Sequence, residues 1–149
     1  MKVLLDTSTL LAAIVSSHPG HARAKAWLDL VESKKISAVV CMHSLAEVYA
    51  NLTRVPFTVP PAMAVQLIDL NIRNKFEEIA LSATEYYDLL EQLATQNISG
   101  PKIYDGIIAC CAWKAEVDFL VTLNRKDFIM LYPTHVDKIV ETVEDADAN

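Results

Sequence analysis

The sequence predicts a single α/β domain of three layers, in which helices cover both faces of a mostly parallel central sheet. Short β-prone runs alternate with helical patterns along the chain, and this alternation is typical of parallel sheets. Residues 106–113 are all uncharged and either apolar or small, which indicates a helix buried on every side. A chain of 149 residues is also long enough to bury a core without disulfide bonds. We expect one domain over residues 1–140 and an acidic, frayed tail over residues 141–149.

Two strands and three helices are predicted before the first proline-rich segment. In chain order they are a strand at residues 2–5, helices at 10–15 and 22–31, a strand at 36–42 and a helix at 44–54. The helix at 22–31 has apolar residues at amphipathic spacing, and the polar residues 6–9 offer N-cap candidates for the first helix. Prolines at 56, 60 and 61 exclude regular structure over residues 55–61.

The same alternation continues in the second half of the chain. The predicted elements are a helix at residues 63–70, a strand at 76–81, a helix at 82–94, the buried helix that begins at Pro101, and a strand at 118–123. The helix at 82–94 begins with the capping box Ser-Ala-Thr-Glu, and proline suits the first turn of the buried helix. The last strand runs directly into a polar cluster of Thr122, Asn124 and Asp127.

Composition excludes several kinds of partner and site. The net charge of -6 gives no overall positive field, so any contact with nucleic acid must be local. Three cysteines, Cys41, Cys110 and Cys111, lie in apolar runs, which indicates reduced core residues of a cytoplasmic protein. No uncharged stretch reaches the roughly 20 residues of a membrane helix, so we expect no membrane partner. With only three glycines, neither a G-x-G-x-x-G motif nor a P-loop is present.

Four carboxylates lie where a predicted strand ends or a predicted helix begins. They are Asp6, Glu47, Asp105 and Asp127. In an open α/β sheet these positions face one crevice at the carboxyl ends of the strands. Converging carboxylates repel one another, so such a cluster persists mainly when a hard cation neutralises it. Because all the ligands are oxygens, the sequence predicts a site for Mg²⁺ or Mn²⁺.

Each of these carboxylates also has a structural interpretation. Asp6 suits the cap of the first helix, and Glu47 completes a capping-box pattern with Ser44. Asp127 suits the first turn of a helix, where the helix dipole favours an acid. Asp105 is the hardest to explain in this way, because the helix around it is apolar and a buried carboxylate needs a partner.

Four motifs together give the chain a family resemblance. They are VLLDTSTLLA near the start, SLAEVY, IYDGIIACCA and FLVTLNRKDF, so the likeness spans about residues 2–130. In these motifs, and in the order and spacing of its acids, the chain resembles the PIN domain family, and within it the VapC-type toxin ribonucleases. The resemblance implies a PIN-like fold and a Mg²⁺- or Mn²⁺-dependent endoribonuclease. It also implies a homodimer that a cognate antitoxin holds inactive.

The resemblance also assigns roles to individual residues. The predicted catalytic residues are Asp6, Glu47, Asp105 and Asp127, with Thr7, Thr122 and Asn124 in support. The first three acids fall on the core acids of the family, which would bind the metal. Thr122 falls on a family Thr or Ser at the end of the fourth strand. The chain departs at Asn124, where many relatives have a fourth Asp, so either Asp127 supplies that charge or a second metal position is weak.

The predicted reaction is metal-assisted hydrolysis of RNA. Two surfaces are predicted in addition to the metal site. Four basic residues flank the acids in sequence and either contact the RNA backbone or are solubilising charges: Lys102, Lys114, Arg125 and Lys126. Tyr49, Leu52 and Met63 lie around the proline-rich segment, so we expect the helices on either side of it to bury a symmetric dimer surface.

Other functions remain open at the level of sequence. A phosphotransfer or phosphatase-like domain would use Asp6 as the nucleophile, although the second acid such domains place two residues later is here Ser8. A catalytically inert PIN-like interaction domain is the other alternative. His43 and Glu47 have the spacing of two zinc ligands, but no third ligand follows at a recognisable spacing.

Overall fold

The computed structural model describes residues 1–148 and confirms the predicted α/β class. Five strands form one sheet in the order β3-β2-β1-β4-β5, and all four neighbouring pairs are parallel. The strands are β1 (Lys2–Leu5), β2 (Ser37–Cys41), β3 (Glu77–Ile79), β4 (Phe119–Val121) and β5 (Ile139–Val140). The chain order reverses between β1 and β4, which is where open α/β sheets form their binding crevice.

Eight α-helices and one 3₁₀ helix connect the strands within the described residues. They are α1 (Thr7–Ile14), α2 (His21–Glu32), α3 (Met42–Thr53), α4 (Pro61–Asn71), α5 (Ala83–Thr95), α6 (Lys102–Lys114), α7 (Arg125–Leu131), the 3₁₀ helix Pro133–Lys138, and α8 (Val143–Asp147). The predicted boundaries of the longer helices lie within a few residues of these.

The side chains of the sheet alternate between two buried clusters, which gives the three layers. Val3 and Leu5 of β1 pack with α1, α2, α3 and α4 on one face. Leu4, between them, packs with α5, α6 and α7 on the other face. Because successive side chains of a strand point to opposite faces, both faces of β1 are buried, and the strand is apolar from Val3 to Leu5. The buried helix predicted over residues 106–113 is the body of α6, in the second cluster.

The end of the chain differs from the frayed tail that composition predicted. Residues 143–147 form α8, which begins with a capping box between Thr142 and Asp145. Ala146 is buried in the first cluster, and the indole N–H of Trp27 donates to the carbonyl of Glu141 at 3.1 Å. Ala146, the partly buried Val143 and the Trp27 hydrogen bond hold this segment against the first cluster, and two apolar residues are too few to give a recognisable pattern. Asn149, the last residue of the predicted tail, lies outside the described residues.

One residue of the predicted dimer surface is not available at the surface. Leu52 is fully buried in the first cluster, so its assignment to an interface is wrong. Tyr49 and Met63 are exposed, at 38% and 51%. Among residues 1–148, no helix combines the length and the apolar character needed to cross a lipid bilayer.

Candidate active site

The pairing of β1 with β4 brings the first two polar residues of the site side by side. Leu5 pairs with Val121, so the next residues, Asp6 and Thr122, leave the sheet at the same level. The hydroxyl of Thr122 donates to Oδ2 of Asp6 at 2.8 Å. The strand ends therefore start the site, as the carboxyl edge of a parallel sheet predicts.

Asp6 is held in one orientation by several donors. Oδ1 accepts the backbone N–H of Thr9 at 2.8 Å, so the same side chain caps α1. The hydroxyl of Ser8 lies 2.8 and 3.0 Å from the two carboxylate oxygens. Asp6 is only 2% exposed, and this burial raises the pKa of its carboxyl above the ordinary value, while the hydrogen bonds from Thr9, Thr122 and Ser8 act in the opposite direction. Capping and site formation are thus two roles of one carboxylate.

Two hydroxyls connect this carboxylate to the loop after β4. Ser8 Oγ accepts the backbone N–H of Leu123 at 3.0 Å, and Thr122 Oγ1 accepts that of Asn124 at 2.9 Å. Both hydroxyls therefore donate to Asp6 and accept from the loop. Thr122 was predicted as a supporting residue, whereas Ser8 was missed. The available signal for Ser8 was its place in the N-cap sequence directly after Asp6.

Glu47 reaches the site from the second turn of α3. Its Oε1 accepts the hydroxyl of Thr7 at 2.9 Å, which links α3 to the start of α1. The capping-box interpretation of Ser44 and Glu47 is wrong, because α3 already begins at Met42 and both residues lie inside the helix. The Ser44 hydroxyl is buried and has no hydrogen-bond partner among residues 1–148. A helix that starts directly from a strand end has no room for the expected cap.

Asp105 stands in the first turn of α6, half-buried and facing the other acids. Its pKa is raised to about 6, first by burial and then by the charges of Asp6, Asp127 and Glu47, while Lys102 acts in the opposite direction. The other three predicted acids are therefore close enough to Asp105 for their charges to raise its pKa. A carboxylate in these surroundings needs a compensating positive charge. Lys102 does not supply enough of it, because the pKa of Asp105 stays raised in its presence.

Three of the four acids line one cavity of about 210 Å³. Asp6, Glu47 and Asp105 form its acidic wall, and the lining also includes Thr7, Ser8, Asn51 and Asn124. Asn51 was missed by the sequence analysis; it follows Glu47 by one helical turn and donates its Nδ2 to the Glu47 carbonyl at 2.8 Å. Its signal was the i, i+4 spacing from a predicted site residue.

Asp127 lies outside this cavity. Its carboxylate, half exposed, forms an ion pair with Lys102 at 2.9 Å, across the starts of α6 and α7. It lines a neighbouring cavity of about 500 Å³, together with Lys126, and Asn124 borders both cavities. Of the two candidates for the fourth position, Asn124 is therefore in the acid cavity and Asp127 is at its edge.

The four predicted basic residues have different positions. Lys102 and Lys126 lie beside the acids and are at least partly exposed. The Arg125 guanidinium donates to the carbonyls of Ile139 and Val136, so its role is to hold β5 and the 3₁₀ helix. Lys114 flanks Asp105 in sequence but lies at the far end of α6, bonded to Glu85 and to the Ala80 carbonyl, so it does not stand beside the acids. Nine residues of helix separate it from Asp105 by roughly 13 Å.

The donor set suits a hard divalent cation. The cavity offers carboxylate and amide oxygens, and a cation there would lower the repulsion that raises the pKa of Asp105. Within the described chain, no three His, Cys, Asp or Glu side chains are close enough to hold an ion by themselves. A Mg²⁺ site can be built from one or two carboxylates with several waters, so the carboxylates of this cavity suit such a cation only as part of a hydrated shell.

Comparison with known proteins identifies the family. The PIN domain family model matches residues 2–126. Ribonuclease VapC27 of Mycobacterium tuberculosis (strain ATCC 25618 / H37Rv) is 32% identical over 110 residues, which cover 72% of this chain and 74% of that protein. Ribonuclease VapC40 of M. tuberculosis (strain CDC 1551 / Oshkosh) is 30% identical over 118 residues, which cover 77% and 81%.

A solved structure agrees at the level of the fold. The structure of VapBC2 from Rickettsia felis bound to a DNA fragment from their promoter aligns with a TM-score of 0.64 and 21% identity, over 95% of this chain and 98% of that one. The family model covers residues 2–126, well over half of the sequence, and this chain belongs to the PIN domain family.

Proposed function

We propose that this protein is a metal-dependent endoribonuclease that hydrolyses RNA phosphodiester bonds as the toxin of a toxin–antitoxin pair. The observation that carries the proposal is the single cavity lined by Asp6, Glu47 and Asp105 at the carboxyl ends of β1 and β4. The two curated relatives, both named VapC ribonucleases, support it.

Asp6 and Asp105 would hold Mg²⁺ or Mn²⁺ directly, and Glu47 would hold or orient the waters of the cation. When bound, the cation lowers the pKa of its water and neutralises charge on the scissile phosphate. An acidic cavity can then accept an anionic substrate. The protein's own contribution is orientation, because Ser8, Thr9 and Thr122 fix Asp6, and Thr7 fixes Glu47.

The remaining residues would act on the substrate side. Asn124 borders the acid cavity and can orient a water by its amide without adding charge. Asp127 completes the negative field from the edge of the cavity, where Lys102 partly neutralises it. Lys102 and Lys126, both at least partly exposed beside the acids, would contact the RNA backbone near the scissile phosphate.

The alternative in which Asp6 is a nucleophile is disfavoured by the geometry. Both carboxylate oxygens accept hydrogen bonds, and the residue is 2% exposed. A nucleophilic carboxylate must reach the phosphorus of a bulky phosphoester, whereas a small cation can reach a carboxylate through the cavity that it lines. Only a measurement of RNA cleavage distinguishes the proposal from the alternative of a catalytically inert interaction domain.

Substitution of the acids tests the proposal. We expect Asp6→Asn, Glu47→Gln and Asp105→Asn each to lower the rate of RNA cleavage in Mg²⁺ or Mn²⁺ by on the order of 100-fold or more, with the fold intact by circular dichroism. Asp127→Asn should lose less, because this residue lies outside the cavity. Asp69 is an acid on α4 that forms an ion pair with Arg73, and Asp69→Asn is the matched control. Cleavage by Asp105→Asn at the wild-type rate would show that the acid cavity is not the active site.

The toxin assignment has its own measurements. Expression of the wild-type chain in the cytoplasm of a host cell should stop that cell from growing. Expression of the three inactive variants should not. Co-expression with the product of the adjacent open reading frame should restore growth.

The exposed Tyr49 and Met63 support a homodimer, which sedimentation at micromolar concentration tests; a species of 16.5 kDa alone would contradict it.

A further inference from the structure

A pair of stacked aromatic rings lies between α3 and α6, and the mechanism above gives it no role. The ring centroids of His43 and Tyr104 are 4.9 Å apart, and the ring planes are inclined by 23°. Both residues belong to the first turn of their helix. The pair therefore bridges the two helices that carry Glu47 and Asp105.

The rings stand at the edge of the acid cavity. Tyr104 directly precedes Asp105 in the chain, and Nε2 of His43 is 3.8 Å from Oε1 of Glu47. Neither ring lines the cavity itself, but His43 lies beside Glu47, which does, and His43 holds Tyr104 by stacking. An RNA strand whose scissile phosphate lay among the acids would bring a neighbouring base near this pair.

The pair has an inner ring and an outer ring. The His43 side chain is 24% exposed, and its Nε2 is buried without a hydrogen-bond partner among residues 1–148. Tyr104 is 43% exposed although His43 covers one side of its ring. Because one face of the Tyr104 ring lies against His43, a flat ligand can stack only on the opposite face of this partly exposed residue.

We propose that Tyr104 stacks on one nucleobase of the RNA strand beside the scissile phosphate, with His43 supporting the ring from behind. The proposal rests on the ribonuclease function proposed above. Sites for single-stranded nucleic acid combine aromatic surfaces for bases with cations for the backbone, and stacking tolerates any sequence because every base has a π-face. Lys102, two residues before Tyr104 and 35% exposed, supplies such a cation on the same turn of α6.

The test uses kinetics on a defined substrate. Cleavage of total RNA by the wild-type protein identifies a cut sequence, and a synthetic oligonucleotide spanning it serves as the probe. Tyr104→Leu keeps apolar bulk but removes the aromatic face, so its KM should rise roughly 5- to 150-fold, with kcat nearly unchanged. Tyr104→Phe keeps the ring and should stay within about threefold of the wild-type KM. Tyr87→Leu, which removes a tyrosine 69% exposed on α5, is the matched control.

Abasic substrates separate a base contact from a structural effect. In the wild type, an abasic nucleotide at one position near the cut should raise KM about as much as Tyr104→Leu does. The same abasic substrate should cause no further rise with Tyr104→Leu, because the stacking partner is already missing. Melting curves check that the variants are folded, and Tyr104→Gln replaces the leucine variant if that one precipitates.

Each result decides between distinct conclusions. If Tyr104→Leu cleaves with the wild-type KM and shows the wild-type response to every abasic position, the stacking surface is wrong while the ribonuclease function stands. If KM is unchanged and sedimentation shows weaker self-association, the rings belong to a protein interface and the proposal is again overturned. If the wild type cleaves no RNA, both the proposed function and the stacking surface fail.

Discussion

Thr122 shows how one buried hydroxyl connects the sheet, the first helix and the acid cavity. It is fully buried, donates to Asp6 and accepts the backbone N–H of Asn124. Removing the hydroxyl takes a donor from a buried carboxylate and an acceptor from a backbone N–H at the same time. The expected cost therefore exceeds that of an ordinary threonine hydrogen bond.

We expect Thr122→Val to lower the free energy of unfolding by about 1.5–3 kcal/mol, the range for a hydrogen bond to a charged group. Urea denaturation in EDTA measures this change. Thr95→Val is the matched control, because Thr95 is exposed and its hydroxyl bonds only to the Glu91 carbonyl of its own helix. The control should stay within about 0.5 kcal/mol of the wild type. Equal losses in the two variants would show that the Thr122 hydroxyl does not support Asp6.

The raised pKa of Asp105 predicts how stability depends on pH without metal. The folded-state value of about 6 lies above the ordinary value of 3.8, so the folded protein binds a proton that the unfolded chain releases earlier. Stability from this group is fully present below the unfolded pKa and is lost as pH rises through about 6. In EDTA, the wild type should melt a few degrees lower at pH 7.5 than at pH 5. Asp105→Asn should show a smaller decrease, and an equal decrease in both proteins would contradict the assignment.

At the scale of elements, patterns of several residues were predictable and single contacts were not. The strand at residues 2–5 and the buried body of α6 were predicted because most of their residues are apolar or small. β5 was missed, since Ile139–Val140 is only two residues long and gains its strand from pairing with β4. The start of α3 was misplaced because tertiary packing against β2 overrode a plausible capping pattern.

The docking of α8 gives a prediction at this scale. Ala146 is buried against the first cluster, whereas Ala148 is exposed two residues later. Ala146→Asp would bury an unpaired charge, so we expect it to lower the free energy of unfolding by about 1–3 kcal/mol. Ala148→Asp adds the same charge at the surface and should have almost no effect. If both variants unfold at the same urea concentration, α8 is not docked and the end of the chain frays as its composition suggested.

At the scale of the whole molecule, the parallel sheet determines which residues meet. Strand and helix ends of a parallel sheet share one edge, and three acids distant in sequence line one cavity there, Asp6, Glu47 and Asp105, whereas Asp127 lies outside it. Sequence proximity was a poor guide by comparison. Lys114 is nearer to Asp105 in sequence than Glu47 is, yet it lies at the opposite end of α6. The ion pair between Asp127 and Lys102 also depends on how the starts of α6 and α7 lie relative to each other. A local sequence pattern does not predict that arrangement.

Convergence of the acids predicts that a divalent cation stabilises the whole fold. Folding brings Asp6, Glu47 and Asp105 from separate, solvated positions to one cavity, and a cation bound only by the native state relieves that repulsion. The added stability is about 1.4 kcal/mol when the free ion is ten times its Kd, or about 3–6 °C in Tm for a domain of this size.

Melting curves in EDTA and in millimolar Mg²⁺ or Mn²⁺, with Na⁺ at matched ionic strength, measure this effect without any substrate. Asp105→Asn should begin at a higher Tm in EDTA, since one of the repelling charges is gone, and should gain less from the metal. Asp69→Asn, remote from the cavity on α4, should respond as the wild type does. If the wild type has the same Tm in EDTA and in Mn²⁺, the three acids do not bind a cation together, and any hydrolysis of RNA must proceed without one at this cavity.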